Sequence, residues 1–404
     1  MVRRNDRTFD PVSAVVSPGF VRSASMWTYL WDLADEGYEN VLGRLKEAGM
    51  TSISLATAYH AGKFLAPHNP KRKIIFTEDG TVYFDPNPKR YGLVKPRVNS
   101  LVRQGHGLRR TRKEAENRGM KTRSWVVCCH NTPLGMLYPQ IACEDAFGDT
   151  IFHNLCPSNE DLRQYLRALV ADIASHGVDT IELEALQFQG YTHGFHHERE
   201  GIDLNQAARF LLGVCFCTSC QQRARSAGLE LSALRAFARK ALESFFSNPI
   251  AGAEQYPDID HMPADLVDPF LEWRKTVVAS LLESLAESAR SVKLRQLMHV
   301  DPAARKLVSV DPVNASRITG GLLVLAYMRD GESLRAPLEA LRRLVGGAEV
   351  TAGLQVGLPE SGGRKEFERR MSVLREMGIE HFNFYNYGFI PHQNLQWVKE
   401  SLSR

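Results

Sequence analysis

No apolar run in the 404 residues approaches the length of a membrane-spanning helix. The N-terminal stretch Met1–Arg7 is charged and leads into no apolar segment. Neither a membrane partner nor a secretory leader is therefore expected, and the cytoplasm is the expected location. An excess of one charge is also missing: 50 Lys and Arg stand against 46 Asp and Glu. Arg103–Lys113 is locally basic and reads as a solvated helix face, so no nucleic-acid partner is expected. Cysteine is scarce. The chain has 7, an odd number without the spacing of a small disulfide-bonded domain. Disulfides are not expected, which leaves reduced core thiols or a metal site. Low-complexity segments and clean linkers are absent as well, so residues 1–404 read as one domain, with a homo-oligomer left open.

A punctuation mark recurs along the chain. A helical stretch ends in Gly, and a short β-rich run follows. Ala48-Gly49-Met50 precedes Ser52, Arg118-Gly119-Met120 precedes Ser124, and His176-Gly177-Val178 precedes Thr180. Val345-Gly346-Gly347 and Met377-Gly378-Ile379 repeat it. Gly just past a helix end takes the left-handed conformation cheaply. Helix alternating with buried strand is the pattern of a parallel α/β fold. Strands are expected near Ser13–Ser17, Ser52–Ala58, Ser124–Cys129, Thr180–Glu184, Leu294–Val300, Gly321–Tyr327, Val350–Val356 and Phe382–Tyr387. Leu162, Tyr165, Leu166, Leu169, Val170 and Ile173 mark one helical face, with Ser158 and Asp161 as a capping box. Eight strands, each with a following helix, read as a (β/α)8 TIM barrel. A doubly wound open sheet is the alternative. No Gly-rich nucleotide loop follows the first strand, which weakens it and gives no reason to expect an organic cofactor. Long insertions are expected after strands 2, 3 and 4, at about 59–94, 130–157 and 186–265. The first should hold a hairpin, Ile74–Phe84, turning at Asp79-Gly80.

Active sites of such barrels are built at the C-terminal ends of the strands. Glu184 closes strand 4, and Glu182 shares its face by strand alternation. Two stacked carboxylates raise each other's pKa, unless one pairs with an interior Arg or Lys. The other strand ends supply Tyr59, His60, His130, Asn131, His299, Asp301, Tyr327, Asp330, Gln355, Asn383, Tyr385 and Asn386, with Glu360 farther out after strand 7. Rings, amides and imidazoles around one mouth suit a small carbohydrate, although each residue singly can be a loop-packing group. His193, His196 and His197 are expected to line the pocket or the surface rather than to bind metal.

Cys215, Cys217 and Cys220 can turn three thiolates toward one centre. A fourth ligand would close a tetrahedral structural zinc site. Cys156 is the candidate, with Cys128, Cys129 and Cys143 competing, and three buried reduced thiols are the plainer reading.

Leu155-Cys156-Pro157-Ser158-Asn159 before a helix, a strand ending in Glu, and Cys215-x-Cys217-x-x-Cys220 before a helix resemble the zinc-bearing β-galactosidases of glycoside hydrolase family 42. The resemblance covers Phe152–Arg235. It implies a (β/α)8 barrel, a zinc ion on Cys156, Cys215, Cys217 and Cys220, and Glu184 as acid/base. Two positions depart from that family. Leu183 stands where it has Asn, and Ala352-Gly353-Leu354-Gln355-Val356-Gly357 offers no nucleophile Glu on strand 7. The expected activity is glycoside hydrolysis, with Glu360, otherwise Asp330 or Asp301, as the second carboxylate. A metal-dependent sugar isomerase, epimerase or lyase, and a sugar-binding barrel without turnover, are the alternatives.

Overall fold

The computed structural model describes residues 20–192, 197–290 and 292–403. Among them, eight parallel strands close on themselves: β1 Ser23–Thr28, β2 Ser52–Tyr59, β3 Lys121–Val127, β4 Thr180–Glu184, β5 Lys293–His299, β6 Gly321–Leu325, β7 Glu349–Gln355 and β8 His381–Tyr385. Closure is made by β1, where Ser25 lies beside Ser52 of β2 and Asn383 of β8. Helices follow in turn, among them Tyr38–Glu47, Leu108–Glu116, Glu160–Ser175, Ala264–Ala289, Pro312–Thr319, Arg335–Val345, Arg364–Glu376 and Gln393–Ser403. The chain is a (β/α)8 barrel.

Residue alternation explains the layering. Ile181 and Leu183, like Phe382 and Phe384, turn outward to the helices, and Phe384 meets Phe367 of the helix Arg364–Glu376 at 6.1 Å. Glu182, Glu184, Asn383 and Tyr385 turn the other way. The barrel interior is polar at its centre. Glu182 is fully buried, and its Oε2 accepts from Trp27 Nε1 (2.8 Å) and Ser54 Oγ (2.6 Å). Its Oε1 accepts from Asn383 Nδ2 at 2.9 Å and lies 2.6 Å from Arg123 Nε. Gly353 of β7 leaves room for this cluster, since a Cβ there would meet the Trp27 ring at 2.9 Å. Arg123→Met removes the only cation in contact with Glu182 among the described residues. It is expected to cost about 3–5 kcal/mol, because a buried carboxylate loses its charge partner. Urea unfolding measures this, and a loss below about 1 kcal/mol would refute the pairing.

Three expectations are corrected. The first strand expected at 13–17 falls outside the described residues; Ser23–Thr28 fills that place in the barrel. Ile74–Phe76 pairs with Lys63–Leu65, not with the residues after Gly80. Thr81–Val82 instead extends the sheet, pairing antiparallel with Ala58 and Tyr59 at the end of β2. The helix Glu160–Ser175 is capped by Asn159, whose side chain accepts from Leu162 N, while Ser158 Oγ sits 3.4 Å from Cys220 Sγ.

A second apolar core lies outside the barrel. Among the described residues, the insertion after β4 forms the α-helices Gln206–Leu212, Thr218–Ser226, Ser232–Ser247 and Pro249–Gln255. Phe210, Leu211, Leu242 and Phe245 from them pack against Phe270, Leu271 and Val277 of the helix Ala264–Ala289. No described helix is long and apolar enough to cross a membrane.

Candidate active site

Glu184 stands where β4 ends. Its Oε2 accepts from Trp125 Nε1 at 2.5 Å. Burial pushes its carboxyl up to about 7; the Trp125 bond opposes this and the charge of Glu182 adds to it. This carboxyl is protonated over much of the neutral range and remains able to titrate there.

Aromatic side chains from several strand ends surround it. Trp125 lies 5.0 Å from the Tyr59 ring, 5.5 Å from Tyr29 and 6.1 Å from Tyr385. Tyr29 and Tyr59 share a hydrogen bond of 2.9 Å between their hydroxyls. His60 stacks on Tyr59 at 4.3 Å and faces His130 at 4.7 Å, which in turn meets His153 at 5.7 Å. Tyr327 and Tyr385 lie 6.2 Å apart. Burial raises both hydroxyls, Tyr385 to about 12, and the charges of Glu184 and Glu360 reach both of them. Glu360 is thus on the Tyr327–Tyr385 side of the mouth, held by Gln355 Nε2, which donates to its Oε1 at 2.9 Å.

Glu184 also lines a cavity of about 550 Å³. The cavity runs between the ends of β4 and β5 and the helix Gln206–Leu212, with Gln187, Gln189, Tyr191, Arg209 and His299 on its wall. Arg274, also on the wall, is 2% exposed and lies over the Phe188 ring at 4.4 Å. Its Nε and Nη2 make no hydrogen bond, and burial lowers its pKa to about 10. Sequence reasoning missed Arg274, though a signal existed. It occupies the core position in the series Val267, Phe270, Leu271, Arg274, Val277, Val278 and Leu281 of one helix. Trp27 and Trp125 were missed too, although both occupy inward positions of their strands.

The four cysteines expected to share a metal do converge. Their sulfurs all lie within 4.8 Å of one another and all four residues are buried. Cys156 Sγ is 3.4 Å from Cys220, 3.6 Å from Cys217 and 3.9 Å from Cys215. Tetrahedral zinc at about 2.3 Å from each thiolate would set them about 3.8 Å apart. The Glu144 backbone N–H points at Cys215 Sγ at 3.5 Å, the kind of donor that supports a thiolate ligand. The set fits zinc.

No family model matches the sequence, and no curated protein does. Solved structures do resemble it. The catalytic domain of the β-amylase of Paenibacillus polymyxa superposes with a TM-score of 0.56 at 13% identity, over 96% of this chain and 98% of that one. The β-galactosidase of the psychrophilic Marinomonas ef1 gives 0.57 at 9% identity, over 94% of this chain and 59% of that one. The β-galactosidase of Bacillus circulans sp. alkalophilus gives 0.56 at 13%, over 96% and 56%. These neighbours are glycoside hydrolase barrels. The shared feature is the fold. The chain spans under three-fifths of both β-galactosidases.

Several residues expected at this barrel mouth are used otherwise. Glu182 and Asn383 bond to each other within the interior. Asp330 is exposed, and its carboxylate takes Ser333 Oγ and the Glu332 N–H, which hold it below the usual carboxylate range. Asp301 and Asn131 cap the helices Pro302–Val308 and Thr132–Leu137. Asn386 Oδ1 accepts from Gly388 N inside its own loop. Asp330, Asp301, Asn131 and Asn386 are short polar side chains beside turns, where local backbone N–H groups are the nearest donors, whereas Glu182 and Asn383 meet the side chains of the barrel interior. His193 and His196 lie outside the described residues.

Proposed function

We propose that this chain is a glycosidase acting on a small glycoside or oligosaccharide, with Glu184 as general acid/base. The placement of Glu184 carries the reading. It sits at a strand end, beside a cavity, among aromatic rings, with its carboxyl lifted to about 7. A protonated carboxyl of this kind hands its proton to the departing glycosidic oxygen and is left as a base. Tyr191 and Phe210 on the cavity wall offer apolar faces to sugar C–H groups, while Gln187, Gln189 and His299 offer hydrogen bonds to hydroxyls. The β-amylase and β-galactosidase neighbours support this reading at the level of fold.

Glu360 is the proposed second carboxylate. Gln355 orients it from the end of β7, and the Glu184 and Glu360 charges act on the same two tyrosines. A separation near 5 Å would give retention, and about 6.5–9.5 Å would admit a water and give inversion. Glu360→Gln is expected to lower kcat on aryl glycosides by about a hundredfold or more, with KM changed far less. An unchanged kcat would remove Glu360 from the mechanism.

One observation favours a second reading. Gln355 stands at the end of β7, where the resemblance would place the nucleophile. A barrel that binds sugar without hydrolysing it would show tight binding across an aryl-glycoside panel and no turnover. The metal-dependent isomerase reading is weaker, since Asp301 is committed to its helix cap and does not join Glu184. The four-cysteine site is proposed to hold a structural zinc ion on Cys156, Cys215, Cys217 and Cys220. Zinc there would fix the insertion that walls the cavity and take no part in bond cleavage. The seven cysteines, all buried and free, suit the reducing cytoplasm, where we place the protein.

A further inference from the structure

A second group of ligand-type side chains lies on the barrel rim, on segments unrelated to the cysteines. Glu36 ends the helix Leu30–Glu36 that follows β1. His68 belongs to the insertion after β2, and His392 directly precedes the helix Gln393–Ser403 that follows β8. Their side chains are 4%, 8% and 37% exposed, so two of the three are almost wholly shielded from water.

Three polar atoms of this group are buried: Glu36 Oε1, His68 Nδ1 and His392 Nε2. These atoms face one another. His68 Nδ1 lies 2.8 Å from Glu36 Oε1, and His392 Nε2 lies 3.7 Å from Glu36 Oε2. One ligand atom from each residue fits within a 4.8 Å circle, and the two rings stack at 3.9 Å. His68 and Glu36 pair at 2.8 Å, whereas His392 Nε2 meets the same carboxylate only at 3.7 Å; one cation would engage all three.

The surroundings settle which partner suits them. His68 Nε2 is 2.8 Å from the Tyr387 carbonyl, an acceptor only, so that nitrogen carries a hydrogen and Nδ1 can present a lone pair. Such a bond from the far nitrogen is how proteins orient a metal-binding imidazole. Arg44 Nη1 and the Tyr387 hydroxyl both donate to Glu36 Oε2 at 2.8 Å, leaving Oε1 for an ion. A proton between His68 and Glu36 would satisfy one contact and leave His392 unanswered. A tetrahedral ion bound at about 2.0–2.1 Å sets its ligands about 3.4 Å apart, between the two distances seen. The open side of the group is at His392, which borders a cavity of about 270 Å³ with Arg44, Leu395 and Lys399.

We infer that Glu36, His68 and His392 bind a divalent cation of the zinc class, a metal centre separate from the four cysteines. Two imidazoles and one carboxylate are a donor set matched to that ion. Bound there, it ties together the segments that follow β1, β2 and β8 and braces that side of the mouth. The inference does not depend on the glycosidase reading.

Zinc bound per chain tests it on the full-length protein, stripped with chelator, reloaded with Zn²⁺ and dialysed. Wild type is expected to hold one equivalent more than His392→Gln, the mild variant because that side chain is partly exposed, and one more than Glu36→Gln. With Co²⁺ in place of zinc, His392→Gln should lose visible absorption while the near-ultraviolet thiolate charge-transfer band stays. Zinc should also raise the Tm of the Cys220→Ser chain, and at least tenfold more zinc should be needed for the same rise once His392→Gln is added. Equal zinc content in wild type and His392→Gln would overturn the site. So would a Cys220→Ser chain whose melting ignores zinc, a result that does not require the rim variants to fold.

Discussion

Glu184→Gln is expected to cut turnover by about a thousandfold or more and yet to melt higher than wild type at pH 8. The first effect follows from losing the proton donor, since positioned acid/base groups contribute about 10²–10⁴ in rate. The second follows from the sign of the pKa displacement. Burial raises the carboxyl from an ordinary value of 4.5 to about 7. Between those values the folded chain holds a proton that the unfolded chain releases. The stability gained from holding it is complete below the unfolded value and is lost as pH rises through about 7. At pH 8 the ionised Glu184 costs the fold at most about 3 kcal/mol. Glutamine never ionises and escapes that cost. Melts at pH 5 and pH 8 should show the variant's advantage only at the higher pH. Wild-type kcat/KM should fall above about pH 7 as the acid is lost. A variant that retains activity, or an advantage that is the same at both pH values, would sink the assignment.

The barrel was legible because its outer face obeys alternation. Ile181, Leu183, Phe382 and Phe384 follow the period of a strand covered by helices, and glycines such as Gly49, Gly119 and Gly177, all at positive φ, mark the helix ends. The first strand was not legible, for a physical reason. Ser23-Ala24-Ser25-Met26-Trp27-Thr28 lacks an apolar run, because the barrel interior there must accept a buried carboxylate and its donors. The same cause hid the division of labour between the glutamates. Spacing puts Glu182 and Glu184 on one face. Only the depth of Arg123, Asn383 and Ser54 around the lower one separates a paired interior charge from the carboxyl proposed to react. The strand ends named Tyr59, His299 and Tyr385, and all three lie around Glu184 or the aromatic cluster beside it. They also named Asp301 and Asn131, since Asx residues cap helices as readily as they bind ligands. Gln206–Gly213 reaches the cavity from an insertion, and Arg274 from the barrel helix against which it docks, through tertiary contacts that no local pattern records.

Stripping the zinc proposed for the cysteines is expected to melt the insertion ahead of the barrel, because the four sulfurs sit in the second core and join two parts of the chain. Cys156 belongs to the segment entering the helix Glu160–Ser175, while Cys215, Cys217 and Cys220 lead into and lie on the helix Thr218–Ser226. Zinc on four thiolates is a cross-link between them, and metal-binding free energy of about 10–16 kcal/mol is available to such sites in small domains. Part of it would here hold a helical layer that is also attached by apolar packing against the helix Ala264–Ala289 and by Arg235 to Glu144 and Ala146. Cys220→Ser, or chelation of wild type, should therefore split one melting transition into two and open protease cleavage within residues 206–255, with the barrel transition little moved. Cys143 supplies the control. It is buried beside Cys156 and Cys215, but it stands outside the group of four mutually close sulfurs. Cys143→Ser should keep the zinc and the single transition. If it released the ion as readily as Cys220→Ser, the fourth ligand would be Cys143, and the clip would run from the strand Ala142–Glu144 instead of from the start of the helix Glu160–Ser175. Loss of the clip should also weaken binding in the cavity, because Gln206, Arg209 and Phe210 of the same insertion form its wall. The carboxyl of Glu184, held by Trp125 on the barrel itself, would remain in place.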